Sequence, residues 1–410
     1  MRILSLFDGM SCGMIAFKQL GIEVDSYTAY EIDKFAVKVA THNFPEIIEK
    51  GDVFQGDFTQ YEGVDYVIGG SPCTYWSIAQ SPDKRETTAS GIGWELFQQY
   101  VRAINQAKPK YFIYENNKSM AKNIYDSISD AFGFEPIMIN SALVSAQNRE
   151  RYYWVGKRND EGKYDKVRIE QPKDRGILLK DILITGEDLT GNDKSYCVTA
   201  NIDGAHAQNT IERSQRTMVA EPVNTQNGKA HTVLAGYYKT CTGMTAQHTQ
   251  NRTASRVAIR VMDRELESVS NDGNYGIMKA MCKDADKRVY TVGKGPAVTT
   301  CEGGNREPKV FMQVGGQTAH KLHKVENGQI EIKGKKYPVK LKDGYYVIRK
   351  LTVRECARLQ TIPEWYEFNI SNSQSYKCIG NGWTIEVIMH LIRATIEGKI
   401  EPKQLTFWEV

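Results

Sequence analysis

The chain runs to 410 residues, 41% hydrophobic and 10% aromatic, with a formal net charge of +4; that length predicts two domains and that apolar content excludes a disordered chain. Its eight cysteines are scattered without a Cys-x-x-Cys and no two histidines stand at zinc spacing, so no metal centre is expected. With no signal-peptide pattern and no apolar run long enough to span a bilayer, the expectation is a cytoplasmic protein with reduced thiols and no membrane partner.

The first 157 residues alternate short apolar runs with helical patterns. Residues 3–7 read as a buried strand, 9–13 as a turn, and 14–20 as a helix closed by Gly21. Strands are predicted over 24–30, 66–70 and 111–114, with helices over 35–43 and 96–107. Strands apolar on both faces, alternating with helices, indicate a mostly parallel sheet covered on both sides. That is a doubly wound, Rossmann-like α/β domain, with its ligand expected at the carboxyl ends of the strands.

Near residue 158 the texture changes to Gly, Thr, Asn and Lys, with short apolar stretches and no long helical period. Residues 195–199, 231–234 and 297–300 read as short strands in a smaller, irregular β-rich domain. Residues 158–348 hold 30 Lys+Arg against 23 Asp+Glu, a net +7, which leaves the remainder at −3. Within 205–260 seven basic residues face two acids. Such an insert suits a polyanion, although on charge alone a solvated surface reads equally well. Helical periodicity returns over 351–359 and again over 384–397, where Gly398 ends it, with Pro363 breaking the chain between. The expected organisation is one α/β domain from 1–157 and 349–410, interrupted by 158–348.

Several short runs carry chemistry. Phe7-Asp8-Gly9-Met10-Ser11-Cys12-Gly13 follows the first strand, and its glycines let the backbone turn tightly against a ligand. Glu31 ends the second strand, where it could take ribose hydroxyls. A Gly-x-Gly-x-x-Gly pyrophosphate cradle is missing, which favours S-adenosylmethionine over a dinucleotide; alone, the loop could also be a structural turn. Cys73 leaves strand 66–70 through Ser71-Pro72, so its thiol falls at the sheet's carboxyl edge. A reactive thiolate there needs positive potential, and a small buried core residue is the plainer local reading. Glu115 stands at a buried strand end, placed to donate a proton or to sit at a helix N-terminus. In Gln147-Asn148-Arg149-Glu150-Arg151, alternation puts Arg149 and Arg151 on one face. There they could hold a carboxylate, a phosphate or a carbonyl oxygen, or line a solvated edge.

Taken together and in order, these runs resemble the cytosine-5 DNA methyltransferases of the bacterial and phage, Dcm-like type. The resemblance covers Leu6 to Gly13, Glu31-Ile32-Asp33, Gly70-Ser71-Pro72-Cys73, Glu115-Asn116 and Gln147 to Arg151. After the insert it resumes at Arg349 to Gln360 and Tyr376 to Trp383. The family's Gly-Asp pair is Gly51-Asp52 or Gly56-Asp57, with Asp52 preferred because Phe44-Pro45 precedes it at the family's spacing. Three departures stand out: Ser71 where Pro or Phe is usual, Asn117 where Val follows Glu-Asn, and Gly382-Trp383 in place of a small residue plus Val.

The resemblance implies a DNA (cytosine-5-)-methyltransferase that uses S-adenosylmethionine, flips its target base out of duplex DNA and forms a covalent adduct at carbon 6. Cys73 would be the nucleophile, Glu115 would bond the base's N3 and amine, Arg151 its O2, and Arg149 would support Glu115. The cofactor pocket would take Phe7, Asp8, Gly9, Met10, Ser11, Cys12, Gly13, Glu31, Ile32, Asp52, Val53, Pro72, Leu96, Asn381, Gly382 and Trp383. Phe7 would stack on the adenine, while Asn381 and Trp383 would close the methionine end. Residues 74–94 would form a mobile loop over the flipped base. The insert would be the target-recognition domain, gripping phosphates of double-stranded DNA. A monomer on DNA is expected, with a cognate restriction endonuclease as an open partner.

Overall fold

The computed structural model describes residues 1–77, 81–223, 225–226, 229–230 and 322–396. The chain opens with β1 (Arg2–Leu6), α1 (Cys12–Gln19), β2 (Ser26–Tyr30), α2 (Lys34–Asn43) and the short β3 (Ile48–Glu49). It continues through β4 (Tyr66–Gly69), α3 (Gly91–Ala107), β5 (Tyr111–Asn117), α4 (Lys122–Phe132), β6 (Ile137–Asn140), β7 (Glu150–Arg158) and β8 (Tyr164–Lys166). These strands form one sheet in the order β3-β2-β1-β4-β5-β7-β6, with β8 paired to β7. The first five run parallel, and β7 runs antiparallel to both β5 and β6.

Strand alternation divides the core. Ile3, Tyr27, Tyr66, Ile68 and Ile113 pack on one face, and Leu4, Leu6, Val67, Phe112 and Tyr114 on the other. Helix α1 covers the first face and α3 and α4 the second, the doubly wound arrangement that the apolar strands predict. The sequence reading missed α4 and β6, because α4 buries only Ile124, Ile128 and Ser129 beneath an otherwise polar surface.

Helix α3 starts five residues before the expected 96. Gly91 and Gly93 read as loop, yet the Glu86 carboxylate accepts the Gly93 N–H, satisfying one of the donors a helix N-terminus leaves free. Its other oxygen accepts from Trp76 Nε1, and the Trp76 ring is fully buried. Arg85 donates to the carbonyls of Trp76 and Ser119. Both described flanks of the 74–94 segment are therefore tied to the domain by hydrogen bonds.

Farther along lie α5 (Leu179–Ile182), β9 (Glu187–Asp188), α6 (Ala207–Arg213), β10 (Met218–Val223), β11 (Thr225–Gln226) and β12 (Lys229–Ala230). They are followed by β13 (Leu322–Glu326), β14 (Gln329–Ile332), β15 (Lys335–Pro338) and β16 (Gly344–Lys350). A second sheet has the order β15-β14-β13-β16-β10-β9 and its own core of Leu189, Ala220, Val325, Ile330 and Tyr346. The expected strand 195–199 is instead an irregular segment with a single bridge, Gln147 to Ser195. Ladder pairing stops there because the Gln147 side chain, not a backbone carbonyl, accepts the Val198 N–H. The expected strands 231–234 and 297–300 lie outside the described residues.

The chain then returns to the first core through α7 (Val353–Leu359), α8 (Asn372–Asn381) and α9 (Ile385–Thr395). Sequence periodicity had not marked α8. Residues 397 and 398, the predicted end of α9, lie outside the described residues. Arg349 on β16 forks onto both Glu355 oxygens at 2.7 and 2.9 Å and reaches Glu221 at 2.6 Å, clamping the second sheet to α7. Removing one partner of so buried a pair costs about 3–5 kcal/mol. Among the described residues no helix is long and apolar enough to cross a membrane, and no cluster could hold a metal ion.

Candidate active site

The carboxyl ends of β1 to β5 and the start of β7 carry most of the predicted residues. At the end of β1 the backbone enters the left-handed region at Phe7 (φ 56°), Gly9 (61°) and Ser11 (60°). A Cβ on Gly9 would meet nothing within 4 Å, so the loop faces open space there. The Gly9 N–H donates to Glu31 Oε2 at 2.8 Å, while Glu31 Oε1 accepts from the N–H groups of Ile32 and Asp33. These three bonds fix the carboxylate at the end of β2 and leave it acceptor capacity for a hydroxyl. Asp8 points inward instead, accepting from Ser5, Ser11 and Tyr27, and burial raises its carboxyl above the usual range.

A third carboxyl joins them. Both Glu49 oxygens are shielded from solvent without a hydrogen-bond partner among the described residues, and burial, with Asp8 and Glu31 nearby, pushes the group up to about 8. Asp52 caps the turn Val53–Gln55 and Asp57 accepts from the Thr59 N–H and hydroxyl, so both candidate adenine contacts are exposed acids engaged by their own turns. Ile32 is 79% exposed beside Glu31, Leu96 is half-buried on α3, and Asn381 is exposed at the end of α8. The open loop at Gly9 presents the Glu31 carboxylate, which would disfavour a pyrophosphate placed against it. The loop fits an adenosine carrying a positive sulfonium, with Glu31 for the ribose.

Cys73 opens a short 3-10 turn directly after Pro72, at the end of β4. Strand β5 runs beyond the predicted 114, because Glu115, Asn116 and Asn117 pair with Tyr153, Tyr152 and Arg151 of β7. This places the Glu115 and Arg151 side chains together: Arg151 Nε lies 3.0 Å from Glu115 Oε1, with the two side chains 15% and 12% exposed. Gly70 is required beside them, since a Cβ there would stand 2.7 Å from the Glu115 carbonyl oxygen. A buried network holds the cysteine turn from below. Ser71 and Tyr114 hydroxyls are 2.6 Å apart, Asn116 donates to the Ser71 carbonyl, and Asn117 donates to the Cys73 carbonyl.

Arg149 is buried just before β7 and makes no recorded bond to Glu115, the group it was expected to support. It donates instead to the carbonyls of Val198 (2.9 Å) and Gly382 (2.8 Å), tying the 195–199 segment to the end of α8. The sulfur of Cys197 lies 3.4 Å from Arg149 Nη1 and 4.0 Å from Arg151 Nη2. Two thiols therefore share one electrostatic neighbourhood with opposite outcomes. Burial pushes Cys73 above its ordinary 9.0 and Arg151 only partly offsets it, whereas burial of Cys197 is outweighed by the two guanidiniums, which hold it below 9.0. For Cys73, desolvation therefore outweighs the nearby Arg151.

Trp383 donates its backbone N–H to Cys12 Sγ at 3.3 Å and its indole Nε1–H to Glu115 Oε2 at 3.0 Å. Sequence reasoning assigned this residue to the cofactor pocket alone and passed over Cys197. Nothing in Ser195-Tyr196-Cys197-Val198 singles out that thiol; a sequence carries no signal for which side chain meets the arginines.

A family model described as C-5 cytosine-specific DNA methylase matches residues 1–397. The chain is 26% identical over 446 residues to the orphan methyltransferase M.SPRI of Bacillus phage SPR, covering 97% of both. It is 24% identical over 498 residues to the orphan methyltransferase M.Rho11sI of Bacillus phage rho11s, covering 97% of this chain and 98% of that one. A triple mutant of DNMT2 from Spodoptera frugiperda shares the fold at a TM-score of 0.50 and 16% identity, over 97% of this chain and 99% of the other.

Proposed function

The chain belongs to the C-5 cytosine-specific DNA methylase family, and from that premise we propose that it methylates carbon 5 of a cytosine flipped out of double-stranded DNA, through a covalent adduct on Cys73. The observation that carries this reading is the Glu115–Arg151 pair at 3.0 Å, set at the same sheet edge as Cys73. S-adenosylmethionine, when bound over the Phe7–Ser11 loop and Glu31, supplies an electrophilic methyl group.

Carbon 5 of cytosine is a weak nucleophile. The Cys73 sulfur adds to carbon 6, forming an S–C bond and moving the ring's electron pair toward carbon 5 and N3. Glu115 accepts from the exocyclic amine and, carrying a proton for this step, donates it to N3 as charge builds there, while Arg151 holds O2. Once carbon 5 is methylated, its proton leaves to a base, the S–C6 bond breaks and the thiolate is released. Because burial holds Cys73 as a thiol, its proton must pass to water as the base enters, leaving the thiolate to add. The addition requires access above the ring plane, so the base leaves the stack at a cost of a few kcal/mol.

Residues 158–348 are proposed as the target-recognition region, its net positive charge gripping phosphates. The relatives named orphan methyltransferases support an enzyme working without a cognate endonuclease. A duplex in which 5-fluorocytosine replaces the target tests the covalent route, since fluorine cannot leave as the C5 proton does. Mass spectrometry should find the base linked to Cys73, and an adduct on another residue, or none under turnover conditions, would overturn the assignment.

A further inference from the structure

Glu115 has two carboxylate oxygens, and each faces a different donor. Arg151, beside it in the sheet, approaches Oε1, while Oε2 accepts from the Trp383 indole at 3.0 Å across 268 residues of sequence. Trp383 is itself held at both ends. Its backbone N–H points at Cys12 Sγ, and the preceding carbonyl, of Gly382, accepts from Arg149 at 2.8 Å and from Gln360 at 3.2 Å. The ring is thus locked between the start of α1, where the cofactor loop ends, and the acid that would bond the target base.

We propose that Trp383 is a positioning residue for Glu115: its indole N–H fixes the carboxyl group's plane and rotamer at the sheet edge, so that the base meets a preset carboxyl face. This rests on the reading that Glu115 acts on the cytosine. A carboxylate held only by Arg151 Nε is free to turn about its remaining side-chain torsions, and each lost orientation is a cost at the moment of reaction. A valine in this place, as in the resembling family pattern, has no donor to offer. The tryptophan therefore adds a contact to Glu115 that links the acid to the cofactor side of the cleft.

Trp383→Phe keeps most of the ring and removes the N–H, and a benzothienylalanine placed at 383 swaps only that N–H for sulfur. Single-turnover transfer to duplex DNA at saturating S-adenosylmethionine should fall about tenfold in both, the effect expected from losing one hydrogen bond to a charged group. Calorimetric affinity for S-adenosylhomocysteine should fall by less than the transfer rate does, because both variants keep an aromatic ring at the methionine end, and a far-ultraviolet dichroism spectrum verifies that each is folded. The deciding measurement repeats the substitution in a Glu115→Gln background, where the further loss should shrink below about twofold because the two act as one unit. Equal losses in both backgrounds, a loss confined to cofactor affinity, or an unchanged rate would each overturn the proposal. Should Glu115→Gln alone leave the rate unchanged, the premise about Glu115 fails instead.

Discussion

The two halves of the sheet's carboxyl edge differ in the groups they present. At the ends of β1, β2 and β3 stand Asp8 and Glu31, held by hydroxyls and backbone N–H groups, and Glu49, whose oxygens have no hydrogen-bond partner among the described residues. At β4, β5 and β7 stand Cys73, Glu115 and Arg151, with Arg149 and the Cys197 thiol of the 195–199 segment beside them. The acid half suits a cationic sulfonium donor, while the arginine half suits groups that gain negative charge during reaction. The difference shows how one parallel sheet, by its choice of strand-end residues, builds two electrostatic environments side by side.

The largest effect should come from Cys73→Ser. Labelled-methyl incorporation into DNA should vanish while filter binding of the duplex persists; undiminished incorporation would dissolve the distinction between the two halves. Glu115→Gln comes next, with single-turnover methyl transfer expected to fall at least about tenfold.

The two thiols offer a sharper test by pH. Because burial places Cys73 above 9.0, the single-turnover rate should still be climbing at pH 9, as the ionised fraction grows toward the thiol's value in the folded protein. Ultraviolet titration of thiolates should reveal a component below pH 9.0 that Cys197→Ser removes. A rate already level at pH 8, or a titration that Cys197→Ser leaves unchanged, would mean that the arginines serve the other sulfur.

The smallest effect belongs to the acid half. Glu49 in the folded protein holds its proton up to about pH 8, against 4.5 ordinarily, so the native state binds more protons than the unfolded chain between those values. Stability should therefore be fullest below pH 4.5 as far as this group is concerned, fall as pH rises to about 8, and level off above. Glu49→Gln should lack that fall, giving a melting temperature higher than wild type at pH 8.5 and similar at pH 5. Equal melting temperatures at both pH values would place a partner on Glu49 that this structure does not record.

Much of this was legible in the residue order. Apolar runs of strand length separated by helical periods mark a doubly wound sheet, and its carboxyl edge follows from chain direction, so Cys73, Glu31 and Glu115 could be placed at the cleft from local pattern and motif order alone. The polar helix α8 and the late residues of β5 escaped, because their structure depends on neighbours and not on their own periodicity: Glu115 to Asn117 extend as strand only where β7 pairs with them.

The sequence by itself determined which residue types stand at the strand ends, since burial period and turn chemistry are local properties. Only the tertiary structure decided their partners. That Arg149 bonds two backbone carbonyls and not Glu115, that Cys197 takes the arginines' positive potential, and that Trp383 reaches Glu115 across 268 residues all depend on relative placement within a hydrogen bond's length. Hydrogen bonding and thiol ionisation turn on tenths of an ångström and on the balance of burial against nearby charge, and neither quantity is written in the spacing of residues along a chain.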